Sequence, residues 1–288
     1  VSGQDRRSYV YYPTSLNELL QLYKRKPRAT LFAGGTFLLL GQPGRVITLP
    51  REVICLKYVE ELEKISRSDR YVEIGAGASI NQVLRVGGKV LPPVFRRALE
   101  MLSPPGIASL ATVGGNICVS QYALSCIVLS HLLDARIELR HQGGSRWVPP
   151  GRFRGPNGAL GFRPGEMVTR IRVPTEGWNV HRFQKFGKLY HPRTEPLVFA
   201  AVAQTARGTL DDLRIVLSAH TPAVVRGKEL EAELVGRRLP LPQREIEGYL
   251  KGIDAQFKDL RIDLSGLQRH RAFGLIRSFL SSLTGAST

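Results

Sequence analysis

Cysteine is scarce in this chain: three among 288 residues, Cys55, Cys118 and Cys126, an odd and scattered set. That spacing supplies neither a disulfide framework nor a CxxC metal knuckle, and it fits a reducing, cytoplasmic compartment. The six histidines lie apart, and no Ser-His-Asp, paired-carboxylate or metal-ligating arrangement suggests itself. His181 and His191 flank a strand and read as surface or turn residues. Long apolar runs are missing too. None approaches the ~18 residues of a membrane span, and residues 1–7 hold no apolar signal core. Acidic residues are also few: 24 Asp and Glu against 41 Lys and Arg, a formal net charge of +17. The basic excess is dispersed, as in Arg6-Arg7, Lys24-Arg25-Lys26, Arg96-Arg97 and Arg237-Arg238. No RNP-type aromatic pattern or helix-turn-helix accompanies it. This argues for docking onto an acidic partner and against nucleic acid.

What is present centres on two glycine pairs. Ala111-Thr112-Val113-Gly114-Gly115-Asn116-Ile117 is one, and Ala33-Gly34-Gly35-Thr36 is the other. Adjacent glycines let a backbone turn sharply and approach a ligand closely. Two such turns, far apart in sequence, can bring two rows of bare backbone N–H groups onto one anion such as a pyrophosphate. Each alone is a tight turn; the pair carries more weight.

Hydrophobic periodicity organises the rest. A short β-type run at 9–12 precedes a helix over 16–24, capped by Thr14 or Ser15. A buried strand at 29–33 runs into Gly34-Gly35, a helix start follows over 36–40, and strands are expected at 46–49 and 53–56. This is a βαβ-like unit with its glycine turn after a strand. Further strands are expected at 71–78, 135–140 (half-exposed) and 168–173. Helices are expected after a Ser79 or Asn81 cap, over 94–102 and over 123–133, with a Gly/Pro-rich loop over 152–161. Beyond Pro174-Thr175-Glu176-Gly177 come strands at 178–186, 197–204 and 213–219. Amphipathic helices follow at 227–234, 244–251 and 268–283, packed on one face of a three-stranded sheet. No internal repeat is visible. The domain division is 1–56, 57–176 and 177–288.

Five motifs in order carry a family likeness: Ala33-Gly34-Gly35-Thr36, Ile74-Gly75-Ala76-Gly77, Thr112-Val113-Gly114-Gly115-Asn116, Pro164-Gly165-Glu166 with Ile171-Arg172-Val173-Pro174, and Lys185-Phe186-Gly187. Together they resemble the FAD-binding medium subunit of the molybdenum hydroxylases, the xanthine dehydrogenase and carbon monoxide dehydrogenase family. The C-terminal part resembles that family's small terminal domain. The resemblance implies an α+β fold: a two-subdomain FAD-binding PCMH-type (vanillyl-alcohol-oxidase-like) fold, then a three-stranded antiparallel sheet with helices. It implies an FAD-dependent oxidoreductase subunit that passes electrons from partner [2Fe-2S] clusters to FAD and on to NAD or another acceptor. Molybdopterin and [2Fe-2S] clusters would sit on a large and a small partner subunit, in a dimer of heterotrimers.

The implied cofactor-binding set is Ala33, Gly34, Gly35, Thr36, Phe37, Leu38, Thr112, Gly114, Gly115, Asn116, Ile117, Ser125, Val168 and Lys185, with no catalytic or metal-binding residue. In it the glycine stretches hold the pyrophosphate, Val168 lies against the flavin ring, and the Lys185 cation favours the reduced cofactor. Two positions depart from the family pattern. Ser125 and Phe37 stand where the family has aspartates, and neither supplies a carboxylate. Losing one charge-assisted bond of ~1.5–3 kcal/mol weakens binding roughly ten- to hundredfold. A second reading follows: an assembly subunit that keeps the fold and binds FAD weakly or not at all. A stand-alone FAD oxidase ranks lower, since no substrate-binding cap and no His or Cys for covalent flavin attachment is visible.

Overall fold

The computed structural model describes residues 8–40, 42, 47–87, 90–102, 104–188 and 192–284. Residues 1–7 with Arg6-Arg7, Val46 of the strand expected at 46–49, and His191 lie outside the described residues.

The N-terminal unit is a small parallel sheet. Strands β1 (Tyr9–Tyr11) and β2 (Thr30–Phe32) both pair parallel with β3 (Glu52–Cys55), in the order β1-β3-β2. Helix α1 (Leu16–Arg25) makes the first crossover and α2 (Thr36–Leu40) follows β2. Of the two candidate caps Ser15 is the one used: its side chain accepts the Glu18 N–H, and Glu18 reaches back to the Thr14 N–H at 2.7 Å. Leu19 and Leu20 face the core with Ile54. Residues 47–49 form no strand.

The second sheet has five strands in the order β4 (Ile65–Arg67), β5 (Tyr71–Gly75), β8 (Met167–Pro174), β6 (Arg136–His141), β7 (Gly144–Val148). All its pairings are antiparallel. Between β5 and β6 run α3 (Ile80–Gly87), α4 (Pro93–Glu100), α5 (Pro105–Ala108), α6 (Val113–Cys118) and α7 (Ser125–Leu132), and α8 (Pro150–Phe153) follows β7. Ser79 caps α3 reciprocally with Gln82, at 3.2 and 2.7 Å. The half-exposed alternation expected over 135–140 is not found, because Ile137, Glu138 and Leu139 are all buried. Glu138 is sealed on the outer face by Thr169 (2.6 Å), Arg170 (2.8 Å) and Arg140 (2.8 Å). Neighbouring arginines have substituted for water around a carboxylate.

The third sheet is antiparallel, β11 (Thr209–Ala219), β10 (Leu197–Ala206), β9 (Val180–Phe186). Helices α9 (Lys228–Leu234), α10 (Gln243–Asp259) and α11 (Gly266–Ser281) cover one face. Helices on one face alone was too simple an expectation. The opposite face, with Val198, Ala200, Val202 and Val216, packs into the central core against α4 and α7. Burial on both faces explains why Leu197 to Ala203 reads as a continuous apolar run and not as an alternation. It also sets β9, and with it Lys185, beside the elements that carry the glycine motifs.

Candidate functional site

A cleft of about 1300 Å³ opens between the end of β2, residues 111–125, the end of α4 and the end of β9. Eleven of the implied binding residues line it: Ala33, Gly34, Gly35, Thr36, Phe37, Leu38, Thr112, Gly115, Asn116, Ser125 and Lys185. The two glycine stretches meet there. A Cβ on Gly34 would fall on the Leu110 carbonyl, so the first turn lies directly on the chain leading into the second. Gly35 has φ +65°, which glycine adopts without strain, and a Cβ there would strike the Phe32 ring at 2.3 Å.

The two stretches offer different donors. Gly35 stands at the head of α2, its carbonyl accepting the Leu39 N–H at 3.0 Å. The N–H groups of Gly35, Thr36, Phe37 and Leu38 therefore belong to the unsatisfied first turn, and among the described residues they meet no acceptor. The second stretch corrects the expectation of bare N–H groups. It is a helix, α6, whose cap Thr112 accepts the Gly115 N–H at 3.1 Å. Val113 donates to Ala78 (3.1 Å), Gly114 to Ala76 (2.8 Å) and Asn116 to Thr112 (2.9 Å). The Ile74-Gly75-Ala76-Gly77 motif thus supports α6 from behind. This wall can add the hydroxyls of Thr112 and Ser125 and the surface left open by Gly115.

Three implied residues do not line the cleft. Gly114 is a packing position, where a Cβ would come within 2.6 Å of that of Ala76. Ile117 is fully enclosed in the central core, and Val168, paired with Leu139, is buried there too. Both are apolar residues on inward faces, and burial decides their place.

Asn116 acts on the neighbouring helix. Its Oδ1 accepts the Cys126 N–H at 2.9 Å, a buried bond that caps α7 from outside. Helix α7 has no side-chain cap of its own at Leu124. Its first residue, Ser125, is buried and faces the cleft. The Phe37 and Tyr122 rings meet edge to face at 6.3 Å, and Tyr122 lies on His220 at 4.8 Å. Phe37 and Tyr122 thus give the cleft an aromatic edge. Lys185 donates from Nζ to the Leu102 carbonyl at 3.1 Å, and burial pulls its pKa below the usual lysine value. Burial pushes the Cys118 thiol up to about 12, so it lines the cleft uncharged.

Sequence reasoning missed Tyr122, Lys188, Met101 and Leu102 as lining residues. They sit in loops and at a helix end, where no periodic signal marks them.

The protein family described as "FAD binding domain in molybdopterin dehydrogenase" matches residues 5–176. The putative xanthine dehydrogenase FAD-binding subunit of Escherichia coli is 23% identical over 246 residues, 83% of this chain and 82% of that protein. The glyceraldehyde dehydrogenase medium chain of Sulfolobus acidocaldarius is 25% identical over 232 residues, 78% and 80% of the two chains. Among solved structures, a chain of carbon monoxide dehydrogenase from Hydrogenophaga pseudoflava superposes with TM-score 0.80 at 23% identity, covering 96% of each chain. A chain of quinoline 2-oxidoreductase from Pseudomonas putida gives 0.75 at 20% identity, covering 96% and 98%.

Proposed function

The chain belongs to the family of FAD-binding domains of molybdopterin dehydrogenases, and from that premise we propose that its cleft holds FAD for electron transfer between partner subunits and an acceptor. Its fold is the α+β PCMH-type FAD-binding fold with a C-terminal three-stranded antiparallel sheet and helices. It is an oxidoreductase subunit that needs partners. No helix among the described residues is long and apolar enough to cross a membrane. We read residues 1–56, 57–176 and 177–288 as its three units, each built around one sheet.

The observation that carries the assignment is the convergence of both glycine stretches and Lys185 on one cleft of about 1300 Å³. The residues fit an anionic dinucleotide. The unsatisfied N–H groups from Gly35 to Leu38 hold the pyrophosphate, with hydrogen bonds added by Thr36, Thr112 and Ser125. Met101, Leu102 and Pro104 exclude water from one side. Lys185, fixed on the Leu102 carbonyl, would offer a bound flavin a cation that favours its reduced form. When bound, FAD supplies the carrier that accepts electrons from partner [2Fe-2S] clusters and passes them to NAD or another acceptor. Molybdopterin and the clusters belong to a large and a small partner subunit, assembled as a dimer of heterotrimers in the cytoplasm.

Phe37 and Ser125 favour a variant of this reading, weak FAD retention by an assembly subunit. One experiment tests both. Purified chain is melted in the presence of excess FAD, and a second portion is desalted for its absorbance spectrum. Flavin absorbance and a raised melting temperature are expected, since ligand at a hundred times Kd stabilises by about 2.7 kcal/mol. Neither signal, with intact assembly onto the partner subunits, would select the assembly role.

A further inference from the structure

Arg154, the residue closing α8, is 3% exposed, yet it has no countercharge. Among the described residues no carboxylate pairs with it. Its guanidinium instead donates from Nη2 to the Val119 carbonyl and from Nη1 to the Tyr122 carbonyl at 3.3 Å. Its Nε–H is buried and meets no acceptor among the described residues. The one ionisable neighbour of opposite tendency, the Cys118 thiol, is kept protonated by its own burial. Enclosure without an anion also pulls the pKa of Arg154 below the usual arginine value. A buried cation held only by carbonyl dipoles is costly for a fold, and the cost falls when an anion comes close.

Residues 118–122, which the guanidinium holds from behind, form one wall of the dinucleotide cleft. We propose that Arg154 is a positioning residue for that cleft: it pins the wall through the Val119 and Tyr122 carbonyls, and its unmatched charge selects a ligand carrying a pyrophosphate over an uncharged flavin. The proposal rests on the flavin-cleft reading above. The wall replaces direct contact. The Val119 and Tyr122 carbonyls accept from the guanidinium, both residues line the cleft, and the field of a buried charge is screened little by solvent. In a chain lacking acidic residues at positions 37 and 125, the discrimination comes from a cation behind the wall and not from carboxylates in front of it.

The test uses the full chain with FAD and riboflavin as ligands, both followed by flavin fluorescence, and with circular dichroism as the check on folding. Arg154→Met keeps the stem and removes the charge; Arg154→Lys keeps the charge. In the Met variant FAD affinity is expected to fall at least fivefold further than riboflavin affinity, the loss shared by both ligands being that of the pinned wall. The Lys variant is expected to bind FAD within threefold of the parent. A purely structural wall would lower both ligands alike, so any smaller gap between the two losses overturns the proposal. If the Met variant does not fold, the Lys variant decides: a tenfold loss of FAD affinity with riboflavin affinity retained overturns the role of charge, and affinity within threefold supports it. A parent chain that takes up neither ligand overturns the flavin reading itself, and this proposal with it.

Discussion

Gly34 lies against the carbonyl of Leu110 so closely that a Cβ built on it would fall 1.7 Å from that oxygen. The contact is backbone on backbone, and it joins the two glycine-bearing segments into one structure. Ligand-facing N–H groups and the α6 wall are therefore held in register by the absence of a single methyl group.

Gly34→Ala is expected to damage fold and site together. Overpacking costs about 1–3 kcal/mol where side chains can yield, and here a carbonyl must move. The melting temperature should fall by at least about 5 °C, with FAD uptake lost. Gly115→Ala is the contrast. Its Cβ would meet only the Thr112 Oγ1, at 2.9 Å, and alanine suits a helix better than glycine. The Thr112 cap must shift, a cost of about 1 kcal/mol that the gain in helix propensity offsets, so stability should hold while the methyl group intrudes on the cleft. Equal melting temperatures for the two variants would refute the distinction.

Asn116 gives a second separation of fold from binding. Asn116→Ala leaves the buried Cys126 N–H without its acceptor, a loss of about 1–3 kcal/mol. Asn116→Asp keeps the acceptor and adds a charge that the N-terminus of α7 tolerates. The Asp variant should melt near the parent temperature yet bind FAD about tenfold more weakly, through repulsion of the pyrophosphate. Paired melting curves and flavin titrations decide it.

Two buried carboxylates pull stability in opposite directions with pH. Burial raises the Glu138 pKa, but hydrogen bonds from Arg170, Thr169 and Arg140 outweigh it and hold the group at about 2, below its ordinary 4.5. A depressed folded-state pKa contributes stability above 4.5 that is lost as pH falls toward 2, on the order of 2 kcal/mol. Glu231 is the reverse. Burial raises it to about 7 from 4.5 despite Arg226 at 3.0 Å. Its contribution is present at pH 4.5 and lost as pH climbs through 7. Relative to the parent, Glu138→Gln should lose stability at neutral pH and converge in acid. Glu231→Gln should match the parent near pH 5 and gain on it by pH 8. Denaturant midpoints across pH 3–8 read both slopes.

The parts of this molecule that were legible in sequence are those with local signals. A strand followed by Gly34-Gly35, the Ser15 cap and the apolar run from Leu197 to Ala203 each announce themselves within ten residues. The helical state of Val113 to Cys118 does not, since adjacent glycines argue against a helix. It forms because Thr112 caps it and the carbonyls of Ala76 and Ala78 take its first N–H groups. The strand β7 was invisible because Ser145-Arg146-Trp147 lacks β-branched alternation, and its pairing with β6 is tertiary. Ile117 and Val168 stand outside the cleft lining for the same reason. Their inward direction is set by helix phase and strand register, which residue identity does not encode.

Lys185 provides the most direct test of the redox role. Its Nζ is held by one bond to the Leu102 carbonyl, and burial lowers its pKa, so its charge is costly to keep. Leu102 and Lys185 both line the cleft. With FAD bound, a cation at that place would stabilise the reduced cofactor more than the oxidised one, because reduction adds negative charge in a site poorly screened by water. Lys185→Met removes the charge and leaves a stem of similar length. The midpoint potential of bound FAD should fall by at least about 30 mV, a tenfold change for a two-electron couple. Lys185→Arg should stay within half of that shift. Affinity for oxidised FAD should change less than the potential, since the interaction strengthens only on reduction. A potential unchanged in Lys185→Met, at equal flavin occupancy, would reduce Lys185 to a structural tie between β9 and the end of α4.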